Sequence, residues 1–201
     1  MPTAIAILAK APIEGFAKTR LIPRLGAAGA ARLQRRLIER SIQTAIAAAL
    51  GPVSLWCTPS TEHDAFACLA ARYELRLFRQ ADGDLGARML HAFETLTVKG
   101  PTLLMGTDCA VITSTHLQRC AVLLSGADAT AVPVEDGGYI LLGLHRPVQA
   151  LFTGVDWGTP DVMNQTRSKA ETAGLDLVEL EPLWDIDRPE DYNRAIAQGA
   201  L

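Results

Sequence analysis

The sequence predicts a three-layer α/β/α domain built on a mostly parallel, mixed sheet. Three observations carry that prediction. Short apolar runs of strand length alternate with longer stretches of helical period. The alternation stops after Ala129, where two strand-like runs are separated by a turn and no helix. At 201 residues, with 49% hydrophobic and 20% charged residues, the chain has the size and composition of one folded domain with a substantial core.

Taken in order, Thr3–Ala9 is the first apolar run and reads as a strand. Ala27–Leu50, rich in alanine and leucine, predicts the longest helix, with Leu33 and Leu37 on its buried face. Val53–Cys57 and Leu75–Phe78 read as the next strands. Leu85, Met89, Phe93 and Leu96 recur at spacings of three and four, as a helix face requires. Thr102–Met105 returns to strand, and Leu117, Ala121 and Leu124 predict a further helix. Ala129–Pro133 and Tyr139–Leu144 flank Val134-Glu-Asp-Gly-Gly138, so they read as two strands joined by a turn. A helix near Pro160–Ala173, a short strand near Leu175–Leu180 and a last helix from Arg188 complete the pattern. Asp187 is placed as a capping acid ahead of Pro189, with Glu190 and Asp191 in the first turn. No repeat, low-complexity tract or linker divides the chain, so residues 1–201 are expected to be a single domain.

Composition narrows the function. A net charge of -3 leaves no strongly basic face, which argues against nucleic acid as the main partner. Cys57, Cys68, Cys109 and Cys120 form no Cys-x-x-Cys pair, and the four histidines are scattered, so zinc spacing is absent. Reduced thiols in a cytoplasmic protein are the expectation. Thr3–Ala9 is too short to span a bilayer and no basic leader precedes it, so no membrane association is expected.

The segment Lys10-Ala-Pro-Ile-Glu-Gly-Phe-Ala-Lys-Thr-Arg-Leu21 follows the first strand. Ligands of open α/β sheets sit at the carboxyl ends of strands. There, Lys10, Lys18 and Arg20 are gathered on a turn made by Pro12 and Gly15, which suits a polyphosphate. A solvated basic turn is the plain alternative. It is not a P-loop, because Ala17 stands where the glycine before the lysine belongs and Pro12 where the first glycine belongs. No Gly-x-Gly-x-x-Gly follows a strand either.

Four further stretches carry possible chemistry. Asp108, in Gly106-Thr-Asp-Cys109, ends a strand and can either bind magnesium through oxygen or cap the next helix. Asp185 and Asp187 lie two apart, facing one side of an extended segment, where one of them can complete a metal shell while Asp187 can also cap the last helix. Glu135, Asp136, Gly137 and Gly138 either approach a sugar or acceptor closely or make a hairpin turn. Gln80-Ala-Asp-Gly83-Asp84-Leu-Gly86-Ala-Arg88 opens a helix whose amino terminus can hold a base or phosphate, with Asp84 a plausible cap. In addition, Asp156-Trp-Gly-Thr159 can join an acceptor pocket or simply start a helix.

Together these stretches resemble one family. Lys-Ala-Pro-x-x-Gly-x-x-Lys-Thr-Arg-Leu (10–21), Gly-Asp-Leu-Gly-x-Arg-Met (83–89), Gly-Thr-Asp-Cys (106–109), Glu-Asp-Gly-Gly-Tyr-x-Leu-Leu-Gly-Leu (135–144), Trp-Gly-Thr (157–159) and Asp-Ile-Asp-x-Pro-Glu-Asp (185–191) look like the DUF2064 group. That group belongs to the nucleotide-diphospho-sugar transferase superfamily with the glycosyltransferase A-type (GT-A) fold. It is similar to the guanylyltransferases of molybdenum-cofactor and coenzyme F420 synthesis. The resemblance implies that Lys10, Lys18 and Arg20 hold nucleotide phosphates, and that Asp108 and Asp187 bind magnesium or manganese. It also implies that Gln80 and Gly83 line the nucleotide site. Relatives usually have proline after Thr-Asp-Cys, where Ala110 stands in this chain.

The fold alone does not fix the reaction. Three cations on one loop suit departing pyrophosphate better than a departing nucleoside diphosphate, whose charge a metal and fewer cations can manage. The expectation is therefore nucleotidyl transfer from a nucleoside triphosphate to a small phosphorylated acceptor, with Lys18, Arg20 and Asp108 at the reacting phosphates and Gly15, Asp136 and Gly137 lining the site. The alternative is glycosyl transfer from a sugar nucleotide, with Asp136 or Glu135 as base. A third reading, hinted at by Ala110, is a nucleotide-binding regulator without catalysis.

Overall fold

A computed structural model describes residues 1–201. Its strands are β1 (Ala4–Lys10), β2 (Val53–Thr58), β3 (Arg76–Arg79), β4 (Thr102–Met105), β5 (Ala129–Pro133), β6 (Tyr139–Leu144) and β7 (Leu177–Glu179). The helices are α1 (Ile22–Ala47), α2 (Asp64–Tyr73), α3 (Leu85–Leu96), α4 (Ser114–Leu124), α5 (Val162–Thr172) and α6 (Pro189–Ala197). All seven strands form one sheet in the order β3-β2-β1-β4-β6-β5-β7. The pairs β1–β2, β1–β4, β2–β3 and β5–β7 are parallel, whereas β6 runs antiparallel to both β4 and β5. The sheet is thus mixed and mostly parallel, and the reversal comes from the β5–β6 hairpin that the glycine pair marks.

Period-two alternation sends successive side chains to opposite faces. Ile5 and Ile7 join the core under α1, α2 and α4, with Ile38, Phe66 and Leu117. Ala6, Trp56, Leu104 and Leu142 join the core under α3 and α5, with Met89, Phe93 and Met163. Helices therefore cover both faces, which produces the three layers. A third cluster joins Leu21, Leu33, Leu37, Ala110, Trp184, Ile186 and Ala195. It fastens the segment before α6 onto α1 and the loop after β1. No helix is long and apolar enough to cross a membrane.

Differences from the sequence expectations are local. The longest helix begins at Ile22 rather than Ala27, because a turn from Thr19 leads directly into it, and Gly26 (φ 70) marks a kink that a helical pattern does not reveal. Helix α2 is an addition to the expected elements. It is short, and its apolar face consists of Ala65, Phe66 and Leu69 behind a His63 cap. The last helix is capped by Asp191, whose Oδ2 accepts from Arg188 N at 2.7 Å and Asp187 N at 3.1 Å. Arg188 occupies the N-cap position, so Asp187 does not cap the helix and its carboxylate is left for other contacts.

Candidate active site

A crevice of about 630 Å³ opens at the carboxyl ends of β1 and β4. The loop after β1 builds its floor. Lys18 has a left-handed backbone (φ 48, ψ 46), an uncommon conformation for a residue with a β-carbon. Leu21 N donates to Lys18 O at 2.9 Å, and the Leu21 side chain is fully buried in the third cluster beside Ile186. That anchoring compels the strained turn and directs Lys18 inward.

The Lys18 ammonium lies 2.7 Å from Asp108 Oδ1 and 3.0 Å from Asp187 Oδ1, and donates to the Ile186 carbonyl at 2.7 Å. Three oxygens match its three N–H donors. The Lys18 side chain is only 4% exposed, whereas Asp108 and Asp187 remain 42% and 35% exposed toward the crevice. Burial works to lower the Lys18 pKa, but Asp108 and then Asp187 outweigh it and hold the ammonium above its ordinary range. Arg20, which is mostly exposed, reaches Asp187 Oδ2 at 3.6 Å. Lys10 lines the same crevice and has no acidic partner within 4 Å.

Asp108 is held by its backbone: Ile186 N donates to Asp108 O at 2.9 Å, which brings 185–187 alongside the end of β4. It does not cap α4, whose amino terminus is closed by Thr113 and His116. Asp185 also lines the crevice. Burial, with Asp136, Asp187 and Asp108 nearby, pushes its carboxyl up to about 7 against the opposing effect of Lys18.

No group of three or more His, Cys, Asp or Glu is arranged to hold a metal ion. Magnesium, however, commonly uses one or two carboxylates and completes its shell with water and phosphate. Asp108 and Asp187 fit that use, since oxygens of both converge on one cationic atom.

Gln80 is buried at the ends of β1, β2 and β3. Its Nε2 donates to Trp56 O at 2.8 Å and Ala9 O at 3.3 Å, so Oε1 is the atom left for a ligand. Asp136 lines the crevice while its Oδ1 accepts from Gly138 N at 3.0 Å. Of the expected glycines, Gly138 lines the crevice, whereas Gly15, Gly83 and Gly137 do not. Gly15 (φ 79) shapes the loop without lining the crevice. Gly83 (φ 109) also stays out of the lining and offers its carbonyl to Arg88 Nε at 3.2 Å. Gly137 (φ 92) makes its close approach to protein, not to ligand space: a β-carbon there would lie 1.9 Å from Pro160 O. Glu135 faces outward, where Arg194 binds it twice, at 2.7 and 3.0 Å. It is therefore occupied by an arginine and does not line the crevice.

Phe16, Leu85, Arg88 and Tyr139 also line the crevice, although the sequence patterns that contain them assign none of the four a binding role. Leu85, Arg88 and Met89 share the i, i+3, i+4 face of α3, a signal that the helical period already contained. Trp157 and Thr159 line it as well, whereas Asp156 is engaged by Gln165, whose Nε2 donates at 2.7 Å. Asp84 caps α3, its Oδ1 accepting from Ala87 N at 2.8 Å.

Residues 41–159 match a family model described as "Uncharacterized protein conserved in bacteria (DUF2064)". Among solved structures, a candidate nucleotide-diphospho-sugar transferase from Desulfovibrio desulfuricans G20 is 28% identical, with a TM-score of 0.88 over 98% of this chain and 87% of that one. A cytidylyltransferase from Leptospira borgpetersenii is 17% identical, with a TM-score of 0.60 over 96% and 84%. The inositol-1-phosphate CTP transferase of T. maritima is 11% identical, with a TM-score of 0.66 over 99% and 95%. At such identities the last two share the fold alone. No curated protein matches the chain.

Proposed function

This chain belongs to the DUF2064 family, and we propose that its crevice transfers a nucleotidyl group from a nucleoside triphosphate to a small phosphorylated acceptor. One observation carries the reading. Lys18, Arg20, Asp108 and Asp187 meet as a single charge cluster at the crevice floor, with Lys10 on the same wall. Lys10, which is unpaired, and Arg20, exposed and 3.6 Å from its acid, are the cations free to meet phosphate and to offset charge that grows on a leaving pyrophosphate.

In this reading an oxygen of the acceptor phosphate attacks the α-phosphorus. The new P–O bond forms as the bond to the bridging oxygen of the β-phosphate breaks, and pyrophosphate leaves with that electron pair. No protein nucleophile is needed. Asp108 and Asp187 would hold magnesium or manganese, which when bound supplies further neutralisation of phosphate oxygens. Arg20 and Lys10 offer guanidinium and ammonium donors to the departing end. Lys18, with all three donors engaged, acts as the counter-ion that holds Asp108 and Asp187 together at the crevice floor.

The cytidylyltransferase and CTP transferase likenesses support a nucleotide as the donor side, and the free Gln80 Oε1 at the strand ends supports a base with an N–H group. Because Arg194 occupies Glu135, the glycosyl-transfer alternative retains only Asp136 of its two expected bases. The test is release of pyrophosphate from each triphosphate with magnesium across a panel of sugar, polyol and hydroxy-acid phosphates. Pyrophosphate formed in step with acceptor consumption supports the assignment. Nucleoside diphosphate released from a sugar nucleotide, with no pyrophosphate from any triphosphate, overturns it.

A further inference from the structure

Resting on the nucleotidyl-transfer reading, we propose that Arg88 is the anion clamp of the acceptor half of the crevice. It binds an oxyanion on an acceptor whose apolar body lies against Leu85, Met89, Tyr139 and Trp157.

The crevice has two chemically different walls. Lys10 ends β1, and Lys18 and Arg20 stand on the segment leading into α1, which covers one face of the sheet. Arg88 stands on α3, which covers the other face, and is the one cation on that wall. Leu85, Met89, Tyr139 and Trp157 share the lining with it. Arg88 is half-buried, yet no carboxylate lies within 4 Å of its guanidinium. The other arginines without a carboxylate within 4 Å are exposed, and half-buried Arg194 is paired with Glu135, so Arg88 is the one half-buried arginine left unpaired. A half-buried guanidinium with no carboxylate opposite it keeps its charge available to a bound anion.

The side chain is also aimed. Its Nε donates to Gly83 O at 3.2 Å, which leaves the two terminal nitrogens as a fork for an oxyanion. The adjacent wall is rigid. A β-carbon on Gly86 would lie 2.5 Å from Phe152 O and 2.7 Å from Trp157 Nε1, so the indole edge is seated directly on the first turn of α3. Tyr139 meets the Trp157 ring edge-on at 6.5 Å. A fixed guanidinium beside a fixed aromatic wall suits an acceptor that carries a carboxylate or second phosphate away from its reacting end.

Calorimetric titration of the full chain with phenyl phosphate and with phenylacetate tests this, alongside titration of each magnesium nucleoside triphosphate. Wild type should bind at least one of the two probes, and which one binds distinguishes phosphate from carboxylate. Arg88→Gln should weaken that probe by about tenfold or more, while Arg88→Lys recovers only part because an ammonium lacks the fork. Triphosphate affinity and melting temperature should be unchanged in both variants. Equal probe binding by wild type and Arg88→Gln overturns the proposal, as does failure of wild type to bind either probe. Parallel loss of triphosphate and probe also overturns it, since Arg88 would then serve the nucleotide. If no triphosphate binds wild type while Arg88-dependent probe binding persists, the nucleotidyl reading fails and the anion subsite stands.

Discussion

Lys18 Nζ and Asp108 Oδ1 are 2.7 Å apart, and the same ammonium reaches Asp187, so a lysine expected to face phosphate serves as the counter-ion of two carboxylates expected to hold metal. The pair is nearly dry on the lysine side and half-open on the acid side. Removing the cation leaves two neighbouring carboxylates without compensation. Lys18→Met should lower unfolding stability by about 1–3 kcal/mol without divalent ions, the open acids keeping the loss below that of a fully buried pair. Thermal melts with and without magnesium check this. Magnesium should restore more stability to the variant than to wild type, and a variant that melts like wild type under both conditions contradicts the counter-ion role.

Asp108→Asn should remove the magnesium-dependent part of nucleotide stabilisation. A ligand at about 100 times its dissociation constant adds roughly 2.7 kcal/mol, or about 5–10 °C for a chain of this length. Melting shifts with a triphosphate, measured with magnesium and with a chelator, separate the two contributions. If the variant keeps the full magnesium increment, Asp108 is not a metal ligand.

Asp185 supplies a pH signature. Its carboxyl is pushed up to about 7 in the fold, while an unfolded aspartate titrates near about 3.9. The unfolded chain therefore binds fewer protons than the native one across that interval, and stability from this group is lost as pH rises from about 4 through about 7. Asp185→Asn should flatten that part of the profile and melt higher than wild type at about pH 8. Melts in chelator across the pH range check the sign; parallel profiles would assign the effect to another group.

Gly137 is fixed by packing. With φ 92, and with Pro160 O only 1.9 Å from where a β-carbon would stand, Gly137→Ala should cost about 2–4 kcal/mol. Urea unfolding measures it. A loss below about 1 kcal/mol would mean that the turn after β5 shifts freely against the start of α5.

Thiol labelling should be selective. Cys57, Cys109 and Cys120 are buried, and burial pushes their thiols up to about 12, 11 and 11. Cys68 is exposed. A thiol-reactive chromogen should therefore titrate Cys68 alone on the native chain and all four cysteines after unfolding. Rapid reaction of a second thiol in the native state would reveal local opening of the core that holds Cys57, Cys109 and Cys120.

Most strands and the alternation that builds the three layers are determined by local chemistry. Ile5 and Ile7 point to one face and Ala6 to the other because a strand has period two. The glycine pair at 137 and 138 marks the hairpin that reverses β6, and Asp84 caps α3 as its position implies. Lys18, Arg20 and Asp108 could be chosen individually from the segments that follow strands, whereas the acidic pair left Asp185 and Asp187 open and only the family resemblance pointed to Asp187. Their convergence could not be read from the chain. It depends on Leu21, Ala110, Trp184 and Ile186 packing together, which draws segments from both ends of the sequence beside β4. Only then does Lys18 sit between the acids instead of facing solvent. The fate of Glu135 and Gly137 is equally a tertiary matter, set by Arg194 and Pro160. Periodicity fixes which face a residue takes, because it acts between neighbours along the backbone. Which distant atom answers a charge or fills a gap is decided by packing between elements, and no local pattern encodes that distance.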